Sequence, residues 1–426
     1  MFKTSSTVSK VSFLVILISI MVLAFMTVQI SAAGASKYGD VNMDDVVDAV
    51  DLAAMKSYLL GKITSLPNPE AADVNGDGSA DALDFAEMKK YLLGMITVFP
   101  ADKPDDVSDK ILVPHSSWAC GMANGIPKPE KGVLVFETTM KLQNSYDLGK
   151  TQYGMRKAYV IQSSAISSSK FNGTVQSGGL DFQLELSNGV IEIEQWIMIK
   201  ANDGSYIFLR SAGTGINQND VRMVFDFEAP NSSSSNWLNS GKFVGRRVVD
   251  SAAGTIKISV YDVSSVNFTA DTTNSVKVTK PTDMPYQPWD YRVASNERNG
   301  NKLITEQVAL GGSQSVGATK NGRNRNVIPI TGGTVTGNIT AKIIAAGADY
   351  QNLSNPMTID AKYLWETNDG EIIIVRNGGQ FGSLVPIFEV RADSKYSYLN
   401  QKLYLSSNPG GGAGGGVSIT FYESIK

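Results

Sequence analysis

Carboxylates at fixed spacing are the first chemistry in this 426-residue chain. "DVNMDDVVDAVD" runs from Asp40 to Asp51 and "DVNGDGSADALD" from Asp73 to Asp84, the same frame 33 residues on (73 minus 40). Each puts oxygen-bearing side chains at positions one, three, five, nine and twelve. In an EF-hand-like loop these ligate Ca2+, the carbonyl of position seven adds an oxygen, and position twelve closes the site. The expected ligands are Asp40, Asn42, Asp44, Val46, Asp48 and Asp51 for one ion. For a second they are Asp73, Asn75, Asp77, Ser79, Asp81 and Asp84. Position six needs a left-handed turn. Gly78 supplies it in the second loop and Asp45 in the first, at a steric cost that makes the first site the weaker.

The rest of the chain presents paired acids and arginines. Asp181, Glu194, Arg210 and Glu228 recur in order as Asp349, Asp360, Arg376 and Glu389. The chain holds one His, His115, and one Cys, Cys120. That excludes an internal disulfide, a Cys/His zinc site and catalysis by two histidines. Acid–base work would fall to carboxylates, as in glycoside hydrolysis. There a pair stands roughly 5–5.5 Å apart for retention or ~6.5–9.5 Å for inversion. Asp181 with Glu228, and Asp349 with Glu389, are the pairs that could do it. Trp237 and Tyr398 are candidate stacking surfaces for a sugar ring. The competing reading is structural, with charges paired to hold a barrel or fix its turns. His115 reads as a surface or lead-in histidine rather than a catalytic one, and Cys120 as a buried small residue rather than a nucleophile.

These residues sit on a repeated β framework. From Lys131 onward, Val-, Ile-, Tyr-, Phe- and Thr-rich runs are punctuated by Gly, Asn, Asp and Ser. "GGLDFQ" recurs as "AGADYQ", "NDGSYIFLRSAG" as "NDGEIIIVRNGG", "NWLN" as "SYLN" and "ISVYD" as "ITFYE". Two tandem all-β copies follow, 130–264 and 298–426, joined by a Pro- and aromatic-rich link, 265–297. Closure into small antiparallel barrels is the economical fold, because it removes exposed strand edges; a β-sandwich is the alternative. In "VIEIEQWIMIKANDGSYIFLR", alternation puts Ile191, Ile193, Gln195, Ile197 and Ile199 on one face. Glu192, Glu194, Trp196, Met198 and Lys200 take the other. A three-residue Asn-Asp-Gly loop places Arg210 opposite Trp196 on the face of Glu194, so that Glu194 with Arg210, and Asp360 with Arg376, are candidate pairs; a two-residue loop would flip Arg210. The same reading sets Lys362 against Arg376, unfavourable unless an acid intervenes.

Upstream, Lys3 and Lys10 precede the apolar run "VSFLVILISIMVLAFMTV", and "SAAGAS" contains the small-x-small triplet Ala33-Gly34-Ala35. Residues 1–35 read as an export signal, with a retained anchor as the alternative. The mature chain is expected outside the cell, without a membrane span. The net charge of −3 gives no basic face for nucleic acid. "GGGAGGG" lacks the strand-to-helix context and Lys of a phosphate loop.

After each calcium loop comes a helical pattern, Leu52, Met55 and Leu59, then Phe85, Met88 and Leu92, with Gly61 and Gly94 where helices stop. Residues 37–100 resemble a type I dockerin, whose loops end in Asp and are followed by one helix each. The resemblance implies structural calcium and docking to a scaffoldin cohesin. It makes Ala49, Val50, Ala82 and Leu83 cohesin-contacting residues and gives either helix the chance to dock. Residues 101–129 are linker and lead-in. "RNVIPITGGTVTG", "GADYQ" and "NDG" make both copies resemble the β-barrel family called domain of unknown function 3237, the first copy lacking the Thr-Gly-Gly turn. That family implies no activity. The expected class is therefore mainly β, two tandem barrels behind a small helical dockerin. The dockerin in turn implies service in plant polysaccharide breakdown. The open roles are a glycoside hydrolase, a non-catalytic carbohydrate-binding accessory, or a barrel holding a small phenolic ligand.

Overall fold

The computed structural model describes residues 38–76, 79–96, 99–101, 110–115, 121–270, 274–282 and 291–425. The export signal, Asp77, Gly78, Cys120 and most of the linker at 101–110 lie outside them. The chain divides into two compact units, residues 1–105 and 106–426.

In the first unit, α1 (Ala49–Leu59) and α2 (Ala82–Leu92) each begin at a capping box. Asp48 and Asp81 accept from the helix N-termini, while Asp51 and Asp84 reach back to the N-cap amides. Gly61 and Gly94 end the helices at φ +67° and +68°, the left-handed stop that needs no Cβ. Met55 and Met88 are fully buried with Val41, Leu66, Val74 and Phe99. Tyr91 stacks on Phe99, ring centroids 4.4 Å apart.

The second unit holds β1 (Ile111–Val113), β2 (Val133–Lys150), β3 (Met155–Ile161), β4 (Ser164–Ser167), β5 (Asn172–Val175), β6 (Gly179–Glu185), β7 (Ile191–Ala201), β8 (Tyr206–Gly215), β9 (Arg222–Glu228), β10 (Phe243–Asp250), β11 (Thr255–Asp262) and β12 (Ser275–Lys277). There follow β13 (Arg298–Leu310), β14 (Gln314–Ala318), β15 (Asn324–Gly337), β16 (Ala341–Ile343), β17 (Ala348–Asn352), β18 (Thr358–Thr367), β19 (Ile372–Gln380), β20 (Ser383–Glu389), β21 (Tyr404–Ser406), β22 (Gly410–Gly411) and β23 (Val417–Ile425). In the first copy, β7-β6-β3-β2-β11-β10-β9-β8 closes on itself through the β7–β8 ladder, an eight-stranded barrel. The second copy repeats the order, but among the described residues no ladder joins β20 to β21. In the first copy Phe225 pairs with Phe243 across that seam. The corresponding residue of β20 is Pro386, which has no N–H for a ladder.

The Asn-Asp-Gly loops have three residues, with Gly204 and Gly370 left-handed at φ +87° and +84°. Trp196 accordingly pairs with Arg210, and Lys362 with Arg376. The Ile191–Ile199 face turns into the first barrel's core with Phe136, Phe227 and Ile258. The Glu192–Lys200 face turns outward.

The two barrels pack through these outward faces about a pseudo-two-fold. Several contacts occur twice with the copies exchanged. Asn231 N–H donates to the Ala318 carbonyl (2.9 Å), and Ala392 N–H to that of Lys150 (2.8 Å). Ala158, Leu180 and Phe182 of copy one meet Leu364 and Ile374 of copy two. Val327, Ala348 and Tyr350 meet Met198 and Phe208 in return. Tyr291, from the link, also packs: its ring lies against Gly378 and its hydroxyl donates to Asp360 at 2.5 Å.

Candidate functional site

The first acidic loop brings three of its six expected ligands together. Carboxylate oxygens of Asp40, Asp44 and Asp51 lie within 4.8 Å of one another. Backbone bonds hold them: Asp40 accepts from the amides of Asp44 and Asp45, and Asp51 from those of Val41, Asn42 and Asp48. Three converging carboxylates repel unless a cation lies among them, and an all-oxygen donor set suits Ca2+. Asp45 takes the left-handed conformation, φ +64°, and so does Met43, φ +65°, at position four. The second loop uses Gly76 there, φ +77°. Asp84, fully buried, accepts from Asn75 and Asp81 as Asp51 does in its own loop. Val50 and Leu83, at the loop ends, are 58% and 62% exposed, and Ala49 and Ala82 are exposed beside them. Apolar side chains so exposed are available to a partner surface.

The acids and arginines of the two barrels do not form the within-copy pairs expected of them. Arg210 is exposed and lies over the Trp196 ring (5.6 Å), while Glu194 reaches across to Arg376 (3.0 Å). Asp360 binds Lys362 at 2.5 Å. Glu194, 3.9 Å from Lys362, is the acid that relieves the Lys362–Arg376 juxtaposition, and it comes from the other copy. Glu389 accepts from Arg156 Nε (2.7 Å), Thr151 Oγ1 (2.7 Å) and Arg376 (3.4 Å). Its counterpart Glu228 accepts from Arg323 and Arg325, each at 2.7 Å. Burial raises the Glu194 carboxyl, but Arg376 and Lys362 overcome it and hold the group at about 2. Burial likewise opposes ionisation of Glu228 and Glu389, and the arginines hold both below the ordinary value. A general acid needs the opposite shift.

The proposed hydrolytic pairs are also split by the barrel wall. Asp181 pairs with Gln195 and points inward, while Glu228 pairs with Phe208 and points outward. Asp349, opposite Ala361, points inward, while Glu389, opposite Ile374, points outward. Alternation along the strands forces this, so neither pair can flank one glycosidic bond. Trp237 and Tyr398 are half-buried over the ends of the two cores, with Trp237 edge-on to Phe243 (5.9 Å). They are not open platforms. His115 is not a surface residue: its Nε2 meets Glu192 Oε1, and the two side chains are 8% and 0% exposed.

Inside the barrels the copies differ. In the first, Arg247 grips Asp181 with Nε (2.9 Å) and Nη2 (2.5 Å) and donates to Gln183 (3.0 Å). In the second, Asp349 Oδ2 accepts from Gln351 (2.8 Å) and Oδ1 has no partner. Burial pushes its carboxyl up to about 6. Glu306, fully buried, accepts from Tyr363 Oη (2.6 Å) and Trp365 Nε1 (3.2 Å), and burial pushes it up to about 8. Glu306 and Arg247 have no counterpart in the other copy and escaped the reading by repeats. Arg156 and Arg325, at equivalent positions of β3 and β15, were discoverable from "MRKAYVIQ" aligned with "NRNVIPIT".

Comparison with known proteins agrees with this division. Residues 38–93 match the dockerin type I domain. Residues 131–266 and 301–383, just over half the chain, match the family described as "Protein of unknown function (DUF3237)". The chain belongs to the DUF3237 family, carrying two tandem copies of its barrel behind a type I dockerin. It is similar to a UPF0311 protein of Bradyrhizobium diazoefficiens, 39% identical over 92 residues, 21% of this chain and 60% of that protein. The chain thus spans less than two thirds of this relative. Among solved structures, a protein of unknown function from Clostridium acetobutylicum shares 24% identity, over 31% of this chain and 97% of that one, TM-score 0.28. A type I cohesin–dockerin complex from Clostridium thermocellum shares 42% identity, over 15% of this chain and 94% of that one, TM-score 0.15. A type I dockerin supports docking to a cohesin in a cellulosome-type, extracellular arrangement, and its family binds calcium. Among the described residues no helix is long and apolar enough to cross a membrane.

Proposed function

We propose that this chain is an exported cellulosomal component that docks to a scaffoldin cohesin through a dockerin folded around two calcium ions. Its tandem barrel serves plant polysaccharide breakdown as a non-catalytic accessory module. The observation carrying the accessory reading is the fate of three of the repeated acids, the glutamates. Glu194, Glu228 and Glu389 are saturated by arginines or lysine across the barrel junction, with lowered carboxyl pKa values. Such groups hold two bodies in register and are poorly placed to move protons. The polysaccharide context rests on the dockerin alone. The test incubates the full chain, with calcium, on insoluble plant polysaccharides and measures both released sugar and protein retained. Retention without product is expected. Sugar release that survives Asp181→Asn, Glu228→Gln, Asp349→Asn and Glu389→Gln together would mean an enzyme using other residues, and release lost with them would restore the hydrolase reading.

A further inference from the structure

The interior belt of each barrel is built from corresponding residues. Across adjacent strands it runs Tyr159, Asp181, Gln195, Ser211 in the first copy and Ile328, Asp349, Ala361, Asn377 in the second. In the first, Gln195 Nε2 donates to Asp181 Oδ2 (2.8 Å), and the Arg247 guanidinium lies over the Tyr159 ring (5.3 Å) while binding Asp181. Gln195 Oε1 and Ser211 Oγ have no partner there, but the buried Asp181 carboxylate is neutralised from within the chain: a guanidinium clasps it in two places with an aromatic face behind.

The second copy keeps the carboxylate and loses what fills the place. Ala361 stands for Gln195, removing an amide and its bulk. Counting along β10 and β21 from the equivalent pairs Phe243–Asp262 and Tyr404–Glu423, Asn408 stands for Arg247. Asn408 is exposed, and its Oδ1 accepts from the Gly382 amide instead. Asn377, 2% exposed, donates to Ser406 Oγ (3.0 Å) and leaves its Oδ1 without a partner, as Asp349 leaves its own Oδ1. Two unpartnered acceptors therefore face inward on either side of the small Ala361. A polar chain leads to Asp349 from exposed Ser313 through Asn326 (2.5 Å) and Gln351 (2.9 Å), which donates to Asp349 (2.8 Å). Buried acceptors without donors are costly, and a buried carboxylate without a counter-charge more so.

We propose that the interior of the second barrel, at Asp349 and Asn377, binds a small free organic cation bearing N–H donors, of the guanidinium or primary ammonium class. The first barrel fills the corresponding place with Arg247. This holds whether or not the passenger touches polysaccharide. The tandem is then one open and one self-occupied copy of the same site.

The test is titration calorimetry of the full chain with methylguanidinium chloride, with neutral urea as control. One equivalent should bind per chain. Asp349→Asn should weaken binding by about tenfold or more, the scale of a lost charge-assisted bond. Arg247→Ala should open the first barrel and raise the stoichiometry to two. Ala361→Gln, which rebuilds the first copy's amide beside the carboxylate, should weaken binding without removing any charge. It therefore decides the matter if Asp349→Asn does not fold. No binding by the unmodified chain overturns the proposal, as does binding that both Asp349→Asn and Ala361→Gln leave unchanged. Equal binding of urea overturns the assignment to a cation.

Discussion

Glu306 should make the second barrel less stable as pH rises, and Glu306→Gln should remove that dependence. The side chain is fully buried, its neighbours Tyr363 Oη and Trp365 Nε1 are neutral donors, and burial lifts its pKa from 4.5 to about 8. A raised folded-state pKa means the folded chain keeps a proton that the unfolded chain gives up. The stabilisation is complete below pH 4.5, falls between 4.5 and about 8, and stays lost above that. The span from 4.5 to 7, at ~1.36 kcal/mol per pH unit, corresponds to about 3 kcal/mol by neutral pH. Glutamine has the shape of the protonated acid and does not titrate. Over a cooperative unit of this size, 3 kcal/mol is roughly 4–5 °C in Tm. Tm of the full chain and of Glu306→Gln would be followed by calorimetry from pH 4.5 to 8.5. The two should agree near pH 4.5 and diverge upward in favour of the variant. A difference in Tm that stays constant across this range would refute the assignment of a buried, protonated Glu306.

Glu194 should behave in the opposite sense. Its carboxyl is held at about 2 by Arg376 and Lys362, so its contribution is present above pH 4.5 and lost as pH falls towards 2. Glu194→Ala, which removes the 3.0 Å bond to Arg376 but leaves Glu389 on Arg376 and Asp360 on Lys362, should lower stability at pH 7 by about 1.5–3 kcal/mol, read from the urea midpoint. Chelation should unfold α1 and α2 while leaving the β signal of the barrels, because a structural metal's binding energy is folding energy; far-ultraviolet circular dichroism with and without EDTA separates the two. Val50→Asp or Leu83→Asp alone should leave cohesin binding nearly intact if either helix can dock, and the double substitution should abolish it, as surface plasmon resonance would show.

The repeats made much of this fold legible. Two acidic loops, each with its helix, define the first unit, and "NDG" fixed the hairpin register that sets Trp196 against Arg210. The alternation of Ile191 to Ile199 with Glu192 to Lys200 correctly separated two faces. What it could not say was what the second face would meet. Glu194 and Arg210 share a face and a copy, so they read as partners, yet an outward face is completed by whatever packs on it. Here that is the other barrel, and the partners are Arg376 and Lys362. The same blindness joined Asp181 to Glu228, which lie on opposite sides of one wall. Pro386, readable as a ladder breaker, foretold the open β20–β21 seam only once its position opposite β21 was known.

Trp196 and Lys362 occupy the same position in the two copies, and they touch: the Lys362 ammonium lies 4.0 Å from the Trp196 ring centroid. In a dimer of identical chains, a residue on the two-fold meets itself, so a lysine there confronts a lysine and a tryptophan a tryptophan. Joining the copies in one polypeptide lifts that restriction, since each half can change without its mirror image changing too. Cation over indole is an arrangement only the joined form can encode at this spot. Each barrel has thereby become the specific complement of the other, and two copies of either half could not reproduce the whole.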